Sequence, residues 1–132
     1  NKGNVVKVVR EHYLRDDIAC GVENCGKCCE LYATMNTSVF VTGTKPVLIP
    51  DTNLLLHYLD VFESPKIRNL VILQTVLEEV RHRNTGLYNR LRTLIQSKHI
   101  VVFSNEHHRS CHVEKEPSES DNDRNDRAIR RA

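Results

Sequence analysis

Three apolar runs, VLI at residues 47–49, LVIL at 70–73 and IVVF at 100–103, are continuous rather than alternating, and helical patterns separate them. A strand with one wet face alternates polar and apolar side chains. A continuous run belongs to a strand covered on both faces, as in a parallel sheet clad with helices. Ligands of such sheets bind beyond the carboxyl ends of the strands. The residues that follow these runs, Asp51, Thr75 and Asn105, therefore bear most directly on function. With 132 residues the chain has enough length for one modest core.

The intervening segments read as helices. LLLHYLDVF, after Asp51, is apolar over so wide a face that other elements should cover most of it. Ser64-Pro65 should end it and cap a fresh helix with proline at the first position. Thr75 and Glu78 have capping-box spacing, which leaves Glu79 for other work. LYNRLRTLIQ places Tyr88, Leu91 and Ile95 on one face, and Asp123 with Asp126 three residues on should cap a last helix. The organisation expected is an N-terminal arm over 1–46, with a VVKVV strand, a cysteine motif and a linker, followed by an α/β domain over 47–132.

Three acidic groups fall at strand ends or helix starts: Asp51, then Glu78 and Glu79, then Asp121, Asp123 and Asp126. Each acid taken singly is explained by helix capping, worth about 0.5–2 kcal/mol. Their convergence on one rim needs another account, because carboxylates brought together resist ionisation unless a cation joins them. Oxygen ligands suit hard divalent ions such as magnesium or manganese, which activate water for attack on phosphoryl groups. A phosphatase of the haloacid-dehalogenase type requires Asp-x-Asp, and Asn53 occupies the second position here. Thr52 and Asn53 are expected to brace the Asp51 carboxylate and the strand-to-helix turn.

Four of the five cysteines lie between residues 20 and 29, an arrangement unlike a secreted disulfide framework. Cys20, Cys25 and Cys28 follow C-x4-C-x2-C, which suits zinc, with His12 and Cys29 as local candidates for a fourth ligand; reduced thiols on a loop are the alternative. No apolar stretch is long enough to cross a bilayer, and the N-terminus lacks the apolar centre of a signal peptide, so a soluble intracellular protein is expected. Arg81, Arg83, Arg90 and Arg92 could steer a nucleic-acid backbone by phosphate contacts or pair with neighbouring acids on solvated helix faces. Glu106-His107-His108 reads as a structural loop, and Cys111 as a half-buried thiol.

PDTNLLLHYLDV, LQTVLEEVRHR, FSNEHHR and NDRNDRAIR, with VREHYLRDDI before them, resemble in order and spacing the PIN domain that begins the RNase II-type ribonuclease subunit of the RNA exosome. The likeness runs from about Val8 to the end and is weakest between Cys29 and Pro46. It implies a three-layer PIN sandwich around a parallel sheet, with its C-terminal part, including one more active-site aspartate, lying beyond Ala132. It further implies a manganese- or magnesium-dependent endoribonuclease for single-stranded RNA, with Asp51, Glu79 and Asp126 as catalytic, metal-holding acids. The triple-cysteine motif would be completed by a histidine farther along. The same resemblance implies docking on exosome core subunits, an exonuclease module downstream, and residence in the nucleus (nucleolus and nucleoplasm) with a share in the cytoplasm. A docking module without cleavage is the alternative.

Overall fold

A computed structural model describes residues 13–22, 25–28, 30–31, 46–98 and 100–132. The VVKVV segment, His12, Cys29 and most of the expected linker lie outside the described residues. Within them the chain runs α1 (Thr52–Glu63), β1 (Val71–Leu73), α2 (Gln74–Arg83), α3 (Thr85–Lys98), β2 (Val101–Phe103) and α4 (Asp121–Arg131). The strands pair in parallel, Val71 opposite Val101, Ile72 opposite Val102 and Leu73 opposite Phe103. A single parallel bridge, Leu48 to Leu70, continues the sheet on the other side of β1. The α/β class and parallel sheet expected from the apolar runs are thus observed.

The central run behaves as its composition demands: Leu70, Val71, Ile72 and Leu73 are all buried, between residues 48 and 101. The first run does not. Leu48 and Ile49 are exposed, and only Val47 packs partly against the core. α1 corrects a second expectation. Leu55 and Leu59 are buried, but Leu54, Tyr58 and Val61, spaced i, i+4 and i+7, remain exposed on the other side. One stripe of this helix meets α2 and α3, and the 3.6-residue period turns the second stripe away.

α2 starts directly from the end of β1 with Leu73 at its cap and no side-chain cap bond. The expected capping box is absent because Thr75 is already helical and buried; its N–H is taken by Asn105 Oδ1 at 3.2 Å. Asn84 both ends α2 and starts α3, its Oδ1 accepting from Leu87 N at 3.0 Å. Leu91 and Leu94 of α3 are buried, with Tyr88 and Ile95 packed partly against the same core, as the spacing predicted. Ser64-Pro65 starts a turn rather than a helix. α4 is capped by Ser120, not Asp123: Asp123 N donates to Ser120 Oγ at 3.2 Å and Ser120 Oγ donates back to Asp123 Oδ2 at 2.7 Å.

Candidate active site and cysteine centre

Past the carboxyl ends of β1 and β2 opens a cleft of about 1120 Å³. Its walls come from the first turns of α2 (Gln74, Thr75, Glu78, Glu79), the segment after β2 (Glu106, His107, His112) and the start of α4 (Asn122, Arg124, Asn125). α2 is in contact with α1, α3, α4 and β1, so its side chains reach several elements at once.

Glu79 is the point of convergence. Its side chain is 11% exposed. Oε2 accepts from the Thr52 hydroxyl at the start of α1, and Oε1 accepts from Asn125 Nδ2 of α4 at 2.9 Å. Arg83 Nη2 lies 4.0 Å from the same oxygen. Thr52 is buried and immediately follows Asp51; Asn125 immediately precedes Asp126. The three segments predicted to supply acids therefore meet at the Glu79 carboxylate.

The other two acids stand outside that contact. Asp51 is exposed and caps α1, its Oδ1 accepting from Leu54 N at 2.8 Å. Asp126 is exposed on α4, one position from the residue that reaches Glu79. Among the described residues, Asp51, Glu79 and Asp126 do not form a group whose ligand atoms all lie within 4.8 Å of one another. Thr52 does not brace Asp51, as its sequence position suggested, but binds Glu79 instead.

A second polar knot lies beside the first. Arg124 Nη1 and Nη2 grip the two oxygens of Glu106, the former at 2.6 Å, and Nε donates to the Val113 carbonyl at 2.9 Å. The Thr75 hydroxyl also donates to Glu106, and Asn105 Nδ2 donates to Thr75 Oγ1 at 2.8 Å. Burial pushes the Glu106 carboxyl up, but the hydrogen bonds from Arg124 and Thr75 and the Arg124 charge outweigh it, and the net shift is down. No short-range sequence signal announced this pair, since the partners are eighteen positions apart.

Of the arginines considered for RNA, Arg83 alone lines the cleft, and it donates to Asn122 Oδ1 at 2.9 Å. Arg90 forms a two-point pair with Glu63 at 2.8 and 3.1 Å. Arg92 lies over the Tyr88 ring, 5.9 Å from its centroid. Arg81 is exposed on α2.

The cysteines do gather. The sulfurs of Cys20, Cys25 and Cys28 all lie within 4.8 Å of one another, with Cys28 to Cys20 at 3.7 Å. Zinc–sulfur bonds of about 2.3 Å imply a tetrahedral sulfur–sulfur edge of about 3.8 Å, so the spacing suits a zinc thiolate centre. Burial drives the Cys28 thiol up to about 12. For Cys25 burial also acts upward, but the backbone bond from Lys27 and the neighbouring thiols bring it below its ordinary value. Gly21, at φ 79°, seats the turn against β2: a Cβ there would stand 2.4 Å from Val101 Cγ1. Cys111, expected to be half-buried, is buried.

The description "PIN domain" fits residues 48–132 as a family model. The chain belongs to the PIN-domain family. It is 49% identical to the human exosome complex exonuclease RRP44 over 97% of its own length, and 42% identical to RRP44 homolog A of Arabidopsis thaliana, again over 97%. It spans only 14% and 13% of those relatives. The structure of the T. brucei RRP44 PIN domain superposes with a TM-score of 0.76 at 37% identity, covering 89% of this chain and 63% of that one. The matched residues include the paired strands and every wall of the cleft but Leu14. Asn125 and Arg124 are the site-forming residues that sequence reasoning did not single out; Thr52 was assigned to Asp51 rather than Glu79, and Glu106 to a structural loop rather than to Arg124.

Proposed function

We propose that this PIN domain is a divalent-metal-dependent endoribonuclease for single-stranded RNA, with Asp51, Glu79 and Asp126 as its metal-holding acids. The observation that carries the proposal is the hold on Glu79 by Thr52 and Asn125, the sequence neighbours of the other two acids. The donor set is all carboxylate oxygen, which suits manganese or magnesium. When bound, such an ion activates water and neutralises charge building on a phosphoryl group. The chain's own residues hold the rim in place. Thr52 and Asn125 fix both oxygens of Glu79, and Arg83 brings positive charge to the cleft beside it, suited to a phosphate oxygen of the RNA. The products are expected to carry 5′-phosphate and 3′-hydroxyl ends.

Circular single-stranded RNA tests this, because a circle has no end and only an internal cut opens it. The full-length protein with manganese should open circles; chelator or Asp51→Asn should stop it, and cleavage that survives Asp51→Asn would remove the assignment to this rim.

A docking role is supported by a different observation. Arg15 of the N-terminal arm is stitched between residues 107 and 109, its N–H donating to His107 O at 2.8 Å and its carbonyl accepting from Arg109 N at 3.0 Å. With the cysteine turn packed on β2, this joins the described part of the arm to the domain, and zinc on Cys20, Cys25 and Cys28 would stiffen it. The relatives' names place them in the exosome complex, so exosome core subunits are the proposed partners, with an exonuclease module elsewhere in a longer chain. Residence in the nucleus is part of the same proposal. Deletion of the residues before Asp16 should weaken association with the core ring; unchanged association removes the docking role.

A further inference from the structure

α4 is an odd helix to carry a site residue. Of its sequence, DNDRNDRAIRR, only Ala128 is buried and Ile129 packs partly against the core; every other residue is polar. Apolar burial therefore does little to fix its register against α2, and polar contacts must do it. The most enclosed of the ion pairs among the described residues is Arg124–Glu106, with side chains 16% and 18% exposed. It ties α4 to the segment just after β2, and the Thr75 hydroxyl ties the same carboxylate to the first turn of α2.

Arg124 also touches its neighbour. Its Nη1 donates to Asn125 Oδ1 at 3.3 Å, while Asn125 Nδ2 donates to Glu79 Oε1 at 2.9 Å. An amide side chain can present either end, and a donor on its oxygen leaves only the NH₂ to face Glu79. The contacts form a continuous relay from Glu106 through Arg124 and Asn125 to Glu79.

We propose that Arg124, clamped by Glu106, is a positioning residue for the metal-holding rim: it sets the register of α4 and the orientation of Asn125, and thereby the placement of Glu79 and Asp126. The inference rests on the metal-dependent nuclease reading. Arginine is required because three partners, Glu106, the Val113 carbonyl and Asn125, are met by one planar fork, which a lysine ammonium cannot reproduce.

The experiment is manganese titration of the full-length protein, followed by hydrogen exchange of peptides spanning 49–55, 76–82 and 121–131, for wild type, Arg124→Lys and Glu106→Gln. Outer partners of metal ligands typically contribute 10–100-fold in metal affinity. The manganese concentration giving half-maximal protection should rise by about that factor in both variants, with half-maximal cleavage of circular RNA moving in parallel. A purely structural loss would reduce the folded fraction and leave the half-maximal concentration unmoved. Arg124→Lys keeps the charge, so it decides alone if Glu106→Gln does not fold. Half-maximal concentrations equal to wild type would overturn the positioning role and leave the nuclease reading intact; absence of manganese-induced protection in wild type would overturn the nuclease reading and the inference with it.

Discussion

Replacing Gly21 by alanine should detach the cysteine turn from the sheet. Two separable effects act at this position. At φ 79° an L side chain sits in the left-handed region, at a cost of about 1–2 kcal/mol. The new Cβ would also lie 2.4 Å from Val101 Cγ1 and 2.8 Å from Cγ2. Valine is stiff at χ1 and cannot swing both methyls clear, so the overlap adds about 1–3 kcal/mol. The sum, about 2–5 kcal/mol, is a large share of a small domain's stability. The assay is denaturant unfolding of Gly21→Ala, Val101→Ala and the double variant. Truncating Val101 removes both offending methyls and leaves its Cβ at 3.1 Å, so the double variant should recover most of the steric part and show a coupling of about 1–3 kcal/mol, leaving the backbone part. A Gly21→Ala protein within 0.5 kcal/mol of wild type, or additivity with Val101→Ala, would refute the packing argument.

Lys98 Nζ donates to the Phe62 carbonyl at 2.7 Å and to that of Ser64 at the end of α1; Lys98→Met should lower stability by about 1–2 kcal/mol in the same unfolding assay. The Arg127 hydrogen bond, chiefly, holds the Glu119 carboxyl down at about 2. A depressed folded value means the pair's contribution is complete above the unfolded carboxyl range near 4.5 and fades as pH falls toward 2, so Arg127→Gln should flatten the melting temperature over that window. Thr52→Val should weaken manganese binding by about 10-fold, read from half-maximal cleavage of circular RNA, because Glu79 loses a donor. Elemental analysis should find one zinc per purified chain, lost with Cys25→Ser.

What the sequence made legible was local or periodic. The run at 70–73 is buried throughout, and Tyr88, Leu91 and Ile95 face the core, because side-chain period is a property of neighbouring residues. The failures were decided at long range. Thr75 looked like a cap, but its N–H is satisfied by Asn105, thirty positions away, a partner no window on the sequence reveals. Leu48 and Ile49 have the composition of a covered strand and are exposed, since burial depends on which elements lie beside them. At the site, the place of Glu79 at the cleft could be read because strand ends are recognisable. The residues that grip Glu79 could not, because Thr52 and Asn125 are ordinary polar residues until α1, α2 and α4 are packed together.

Anomalous scattering from manganese-soaked crystals of the full-length protein addresses the proposed rim itself. A peak within coordination distance of carboxylate oxygens from Asp51, Glu79 and Asp126 is the expected result. Manganese bound elsewhere in the cleft, or a rim whose three carboxylates stay apart at saturating manganese, would contradict it.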